Sequence, residues 1–192
     1  MTNDLRWKVL SERTVVKDQW IDLRAQRCLT PRGAVLDPFY LLALPDFVHV
    51  VALTEEGDVV LVREYRHAIG ACVLNLPGGW IDAGEHPLAA AKRELAEEAG
   101  FVCEDWREVA QFGADIGRQD NSIHVFLALA AKPGAVRNLD AGEEGMTVEL
   151  LSPEHLYEGL ATGLLPHAAH ISAFLLAMKA AGWISRRFSP PT

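Results

Sequence analysis

Three glutamates stand close together near the end of one predicted helix: Glu94, Glu97 and Glu98. At about 100° of rotation per residue, their side chains fall within roughly a 100° arc of the helix surface. Glu94 and Glu98 form a like-charge pair four residues apart, and the last helical turn disfavours anions. An ordinary solvated helix face is the alternative. A divalent cation would remove both conflicts, and hard oxygen ligands favour Mg²⁺ or Mn²⁺, so the spacing predicts a metal site.

The segment that must position these glutamates begins as a Gly-rich turn and continues as a helix. Pro87 suits a first helical turn, residues 88 to 99 contain neither Gly nor Pro, and Gly100 marks the expected end. Apolar residues form a separate stripe on the same helical wheel, and we expect this stripe to face the core: Leu88, Ala91, Leu95 and Ala99. The stripe would thereby anchor the helix and fix where the glutamates point.

The same stretch resembles the complete Nudix box. The residues that carry the resemblance are, in order, Gly79, Glu85, Arg93, Glu94, Leu95, Glu97, Glu98, Gly100 and Phe101. The resemblance implies a Nudix-type α/β/α sandwich, of mixed α+β class, in which helices cover a mixed sheet. It also implies hydrolysis of a nucleoside diphosphate linked to another group.

By the same resemblance, Glu94, Glu97 and Glu98 would be metal ligands, Glu97 and Glu98 also catalytic, and the carbonyl of Gly78 a further ligand. The ADP-ribose pyrophosphatase branch often carries Ala at that position, so Gly78 is a small departure. We interpret Gly79, Glu85 and Arg93 as structural. A Glu in the turn that pairs with an Arg on the helix would fix the direction of the metal-binding carboxylates.

The residues before the box predict a small antiparallel β unit over residues 1–43, followed by a Nudix domain over residues 44–192. Strands are expected at 7–10, 13–17 and 20–29. In the ADP-ribose pyrophosphatase branch, a comparable sheet mediates dimerisation and carries an aromatic side chain that stacks on adenine. The resemblance places Trp20 there and implies a homodimer. Packing of Trp20 at a domain or subunit seam is the alternative.

A predicted hairpin contains the next two candidates. Strands at 47–54 and 59–66 flank a turn. His49 stands alone in the first, apolar strand, and no metal-binding residue is near it in sequence, so we expect a core histidine whose ring is hydrogen-bonded. Arg66 ends the second strand. The resemblance makes it a contact to substrate phosphates, and an ion pair with a box glutamate is the alternative.

Two loops beyond the box predict further contacts. In the first, Gly117 occupies the place where ADP-ribose pyrophosphatases typically carry Pro, and this departure bears on ADP-ribose as the substrate. Arg118 follows and is either a contact to phosphate or sugar or a solvated side chain. The longer loop from 133 to 145 would supply the catalytic base, Glu143 or Glu144, by the same resemblance.

Charge and composition narrow the class of partner. A net charge of −8 and a pI near 5.3 argue against a nucleic-acid or membrane-surface binder. The three cysteines are odd in number, lack metal-binding spacing and fit a reducing compartment. The sequence shows neither a signal-peptide core nor an apolar run long enough for a membrane span, so we expect a cytoplasmic protein.

Together these features predict Mg²⁺-dependent hydrolysis of the pyrophosphate bond of ADP-ribose or a related nucleoside diphosphate sugar. The products would be a nucleoside monophosphate and a sugar phosphate. One alternative is a Nudix enzyme that acts on another diphosphate, such as coenzyme A or a dinucleoside polyphosphate. The other is a catalytically silent Nudix domain that binds a nucleotide sugar.

Overall fold

A computed structural model describes residues 4–187, and the chain in it forms two compact units. The first unit contains the residues up to 45 together with 113–122, and the second contains residues 46–112 and those from 123 onward. The domain division at residues 43 and 44 stays a prediction.

The first unit is built on a three-stranded antiparallel sheet in the order β1-β2-β3. Its strands are β1 (Lys8–Lys17), β2 (Asp22–Leu29) and β3 (Val35–Ala43). The prediction of two short strands before residue 17 is wrong, because β1 runs through the polar residues between them with two register irregularities. The sequence analysis also missed β3. Pro38 argues against a strand in the sequence, because proline has no N–H to donate. Strand β3 lies at the edge of the sheet, where a residue without this donor is tolerated.

The second unit contains a mixed sheet in the order β10-β5-β4-β9-β7, with β6 paired to β5 and β8 paired to β9. Strand β4 runs parallel to β9 and antiparallel to β5, which confirms the predicted hairpin. The strands are β4 (Phe47–Thr54), β5 (Val59–Arg66), β6 (Ala71–Asn75), β7 (Phe101–Val102), β8 (Asp105–Gly113), β9 (Ser122–Pro133) and β10 (Thr147–Leu151).

Helices cover both faces of this sheet: α1 (Pro87–Glu94) on one face, and α2 (Pro153–Gly159) and α3 (Ala168–Ala180) on the other, followed by α4 (Trp183–Arg187). Alternate residues of β4 divide between the two cores, because successive strand side chains point to opposite faces. Val48 and Val50 pack with α1, whereas Val51 packs with Leu156 of α2 and Phe174 of α3. The predicted sandwich with a mixed sheet is confirmed.

The box helix differs from the prediction in its last turn. Helix α1 continues into a π-helical turn, Leu95–Ala99, and Gly100 follows in the left-handed conformation at φ 74°. The carbonyls of Glu97 and Glu98 accept hydrogen bonds from Asn138 and Arg137, which lie outside the helix. These acceptors are occupied by a distant loop, so a helical wheel based on the local sequence could not reveal the change. The predicted apolar stripe does face the core.

Within residues 4–187, no helix combines the length and apolar character needed to cross a membrane.

Candidate active site and the adjoining cavity

The turn that leads into the box is held against the first residues of β4. The Val48 N–H donates to the carbonyl of Gly79 at 2.9 Å. A Cβ atom at Gly78 would collide with the carbonyl oxygen of Val48 and lie 3.1 Å from Nδ1 of His49. Gly78 is therefore required by close backbone approach, and the imidazole of His49 fills the space that an alanine methyl would need.

Glu94 rests against the same turn. A Cβ atom at Gly79 would lie 2.5 Å from Oε1 of Glu94, so the glycine leaves room for the carboxylate. The side chain is buried, with 7% of the residue surface exposed. Burial raises the pKa of Glu94 to about 7, and the charges of Glu143 and Glu97 add to this rise, while Arg93 opposes it. The carboxyl group of Glu94 is thus difficult to ionise even with Arg93 beside it.

Glu98 lies on the next helical turn and is also buried, with 5% exposed. Its Oε2 accepts a hydrogen bond from the Gly78 N–H at 2.9 Å. Burial nevertheless raises the pKa of Glu98 to about 9, and the charges of Glu94, Glu143 and Glu64 raise it further. Two neighbouring buried carboxyl groups therefore both resist ionisation, and a bound cation would relieve this resistance.

Arg93 connects the turn with the glutamates of the helix. Its guanidinium group donates to both carboxylate oxygens of Glu85 at 3.1 and 2.9 Å, to Glu94 at 2.8 Å and to Glu97 at 3.2 Å. It also donates to the carbonyl oxygen of Trp80 at 3.0 Å. The predicted pair of Glu85 and Arg93 is thus present in the structure. Its function as a positioning pair for the other carboxylates stays a prediction.

The two candidate bases differ in their surroundings. Glu143 is half-buried and closes a 3₁₀ turn in which its Oε2 accepts from the Asp140 N–H at 3.0 Å. Its charge raises the pKa of both Glu94 and Glu98, so it lies within electrostatic reach of the cluster. Glu144 is exposed. Glu143 rather than Glu144 is therefore the candidate for accepting a proton beside the cluster, and this role stays a prediction.

The predicted substrate contacts fall in both units. Arg66, at the end of β5, forms an ion pair with Glu64 on the same strand at 2.7 Å, rather than with a box glutamate. Trp20 belongs to the first unit and is 70% exposed. Arg118 belongs to that unit as well, and its carbonyl accepts from the Leu42 N–H at 2.8 Å. The roles of these three residues in substrate binding stay predictions.

The sequence analysis missed one residue that supports the site. Arg137 donates through Nε to the carbonyl of Glu98 at 2.5 Å and through Nη2 to that of Met146 at 2.9 Å. It therefore ties the end of the box helix to the segment that precedes β10. A single Arg in a polar loop gives no signal of this kind in the sequence.

A cavity of about 370 Å³ adjoins the turn beside Gly78. The polar residues that line it are His49, Arg66, Asn75, His167 and His170. The expectation for His49 is wrong: the ring is buried, and within residues 4–187 neither of its nitrogens has a hydrogen-bond partner. The two neighbouring histidines come from α3 and the residue before it, far away in the sequence, which is why the hairpin alone suggested an isolated core residue.

The three imidazole rings are held in the neutral form. Burial lowers the pKa of His49 to about 3, and the charges of His167 and Arg66 lower it further. Burial also lowers the pKa of His170 well below its ordinary value and lowers that of His167. This cavity therefore presents neutral imidazole rings beside one guanidinium group.

Comparison with known proteins agrees with this arrangement. Residues 44–174 match the sequence model of the NUDIX domain family. Residues 7–42 match the family of nucleoside diphosphate sugar hydrolase N-terminal domains. An ADP-ribose pyrophosphatase of Bacillus subtilis is 32% identical over 126 residues, which cover 63% of this chain and 68% of that protein. A methanol dehydrogenase activator of Bacillus methanolicus is 35% identical over 114 residues, which cover 58% of this chain and 61% of that protein.

Another ADP-ribose pyrophosphatase, from Mycobacterium tuberculosis, is 38% identical over 82 residues, which cover 42% of this chain and 40% of that protein. In fold, the chain is similar to the crystal structure of an ADP compounds hydrolase, with a TM-score of 0.81, 21% identity and coverage of 93% of this chain and 97% of that one. The domain match spans more than half of the sequence. The chain belongs to the Nudix hydrolase family.

Proposed function

We propose that this protein hydrolyses the pyrophosphate bond of ADP-ribose or a related nucleoside diphosphate sugar, releasing a nucleoside monophosphate and a sugar phosphate. The observation that carries the proposal is the pair of buried carboxyl groups, Glu94 and Glu98, which meet the Gly78–Gly79 turn. Relatives named ADP-ribose pyrophosphatase support the choice of substrate class.

The residues of the cluster fit a hard divalent cation. Glu94 and Glu98 offer oxygens whose pKa values are raised, first by burial and then by neighbouring negative charges. Glu97 and the Gly78 carbonyl would complete the set of ligands, which suits Mg²⁺ and also Mn²⁺. A cation held there would neutralise the charge of the diphosphate and would lower the pKa of an attacking water.

The protein's own groups would perform the remaining steps. Glu143 takes the proton from the attacking water, because it is the loop glutamate within electrostatic reach of the cluster. Arg66 lies at the cavity that Gly78 borders and can donate to a phosphate of the substrate. Arg93 holds Glu94 and Glu97 in place through its hydrogen bonds.

The first unit would contribute the adenine contact and the dimer. Its strand β1 is exposed along its whole length and includes the apolar side chains of Val9 and Val16, 50% and 46% exposed. Such a surface favours association with a second copy, and we propose a homodimer. Trp20 would stack on the base, and Arg118 would bind a phosphate or a sugar hydroxyl. A cytoplasmic location stays a prediction.

A second candidate is hydrolysis of another nucleoside diphosphate, such as coenzyme A or a dinucleoside polyphosphate. Gly117 favours it, since the N–H of this residue bonds to Asp115 Oδ1 at 3.1 Å where the ADP-ribose branch typically has a proline without that donor. The loop therefore uses a backbone donor that a proline at this position could not supply.

Product analysis tests the proposal. The protein is incubated with ADP-ribose and Mg²⁺, with and without a chelator, and the products are separated by chromatography. We expect AMP and ribose 5-phosphate, abolished by the chelator. If ADP-ribose stays intact while coenzyme A or a dinucleoside polyphosphate is cleaved, the second candidate is correct.

A further inference from the structure

The cavity beside Gly78 gathers three histidines from two elements. His49 comes from β4, whereas His167 immediately precedes α3 and His170 lies in its first turn. The ring centroids of His49 and His170 are 4.2 Å apart, and those of His167 and His170 are 4.6 Å apart. One ring nitrogen from each histidine lies within 4.8 Å of the other two. Such a cluster is a site either for a metal ion or for an anion.

A hydrogen bond from the backbone fixes the tautomer of His170. The Leu76 N–H donates to Nδ1 of His170 at 2.9 Å. This nitrogen must therefore carry a lone pair, and the proton of the neutral ring is on Nε2. His170 is 3% exposed and lines the cavity, so it presents a hydrogen-bond donor there instead of a second lone pair.

This tautomer argues against a transition metal. A histidine that binds a metal uses one nitrogen as ligand and normally donates the N–H of the other to a carboxylate or carbonyl. His170 has the reverse arrangement, because its second nitrogen accepts from the backbone. Arg66 also lines the cavity; Glu64 pairs with its Nη2 at 2.7 Å, and the other N–H groups of the guanidinium are donors, which suit an anion. Both observations favour an anion.

His49 and the start of α3 supply further donors. His49 is 4% exposed, and its neutral ring has an N–H without a hydrogen-bond partner within residues 4–187. A buried donor of this kind costs free energy unless a ligand accepts its hydrogen bond. Helix α3 begins at Ala168, and His167 provides no side-chain cap for its first N–H groups. A helix of 13 residues places positive potential at this end.

We propose that this cavity binds a phosphate group through the ring N–H groups of His49 and His170, the guanidinium of Arg66 and the first turn of α3. The phosphate belongs either to a nucleotide substrate that also occupies the carboxylate cluster or to free inorganic phosphate. The first source rests on the proposed function, because Gly78 borders both the cavity and the cluster.

Nuclear magnetic resonance of the full chain with ¹⁵N-labelled histidine tests binding directly. Inorganic phosphate is titrated in the presence of a chelator, so that no cation at the carboxylate cluster contributes. We expect saturable shifts of the His49, His167 and His170 ring nitrogens, with His170 in the tautomer protonated on Nε2. Loss of one donor to a charged phosphate weakens binding at least about tenfold.

His49→Leu is the decisive variant, because it removes a buried polar ring that has no hydrogen bond to lose and should fold. His167→Ala is a second variant, and His155→Ala, which removes an exposed histidine of α2, is its matched control. The proposal is overturned if phosphate causes no saturable shift, or if His49→Leu binds phosphate as tightly as the natural protein. Stoichiometric Zn²⁺ binding that breaks the Leu76–His170 hydrogen bond would also overturn it, in favour of a metal site.

Steady-state kinetics separate the two sources of phosphate. If the substrate fills the cavity, inorganic phosphate inhibits competitively with ADP-ribose and His49→Leu raises KM at least about tenfold. If free phosphate fills it, the inhibition is non-competitive. Should the protein not cleave ADP-ribose at all, the proposed function fails, whereas the phosphate titration still decides whether the cavity binds an anion.

Discussion

The carboxylate cluster and the histidine cavity meet at one glycine and have opposite chemistry. The Gly78 N–H donates to Glu98, whereas a Cβ atom on Gly78 would meet the ring of His49. On the cluster side, burial and neighbouring negative charges hinder ionisation of the acids. On the cavity side, the buried ring of His49 has an N–H without an acceptor within residues 4–187. One turn of backbone therefore separates a site suited to a cation from a site suited to an anion.

The two regions also differ in how they are held together. The cluster is organised locally, since Arg93 on the same helix contacts Glu94 and Glu97 and reaches Glu85 in the turn. The cavity is organised by tertiary structure, since α3 brings His170 against β4 and His170 in turn accepts from Leu76. We expect substitutions in the cluster to lower mainly the rate of hydrolysis, and substitutions in the cavity to weaken mainly the binding of phosphate.

Loss of a cluster carboxylate should have the largest effect. Glu98→Gln keeps an acceptor for the Gly78 N–H and removes the charge, so the proposed cation would lose one anionic ligand. We expect kcat/KM for ADP-ribose to fall at least about 10³-fold, because a bound cation supplies several kcal/mol. Glu55→Gln, in the exposed turn between β4 and β5, is the matched control. Comparable turnover by both variants would contradict the proposed role of Glu98 as a metal ligand.

The two loop glutamates, Glu143 and Glu144, provide the next test, which asks which of them is the catalytic base. Glu143→Gln removes the proposed base, so we expect kcat to fall about 10²-fold or more. Glu144→Gln alters an exposed neighbour and should lower kcat far less. The measurement is kcat at saturating Mg²⁺ and substrate. A larger loss in Glu144→Gln would reverse the assignment of the base.

Gly78→Ala should damage both regions at once. The added methyl group would meet the Val48 carbonyl and the ring of His49, so we expect the free energy of unfolding to fall by about 2 kcal/mol. Gly142→Ala is the control, since a Cβ atom there would have nothing within 4 Å. Denaturant unfolding gives both values. Equal stability of the two variants would contradict the close packing at Gly78.

The pH dependence of stability should be specific to the cluster. The folded-state pKa of Glu98, about 9, lies above its ordinary value of 4.5, so the folded state binds more protons than the unfolded state between these two limits. The contribution of Glu98 to stability without metal must therefore fall as pH rises through this window. Denaturant unfolding of the natural protein and Glu98→Gln, with a chelator present, should show a smaller decline in the variant.

The sequence could predict the cluster because its geometry is local. Glu94 and Glu98 are one helical turn apart, and the pair of Glu85 and Arg93 lies within the same motif. The sequence could not predict the cavity, because His49 contacts His170 only through the packing of α3 on the sheet. The carbonyls of the π-helical turn accept hydrogen bonds from residues 137 and 138, and no local pattern could indicate these contacts either. Tertiary contacts, rather than local pattern, determine those features.

The most direct test of the central claim is to measure the unfolding free energy of the natural protein and of Glu98→Gln at pH 8, with a chelator and with Mg²⁺. Without metal, the buried acid destabilises the natural protein, so we expect Glu98→Gln to be more stable by on the order of 2 kcal/mol. Mg²⁺ should stabilise the natural protein and have little effect on the variant. Equal stabilisation of both proteins by Mg²⁺, or none of either, would contradict a cation site at Glu94 and Glu98.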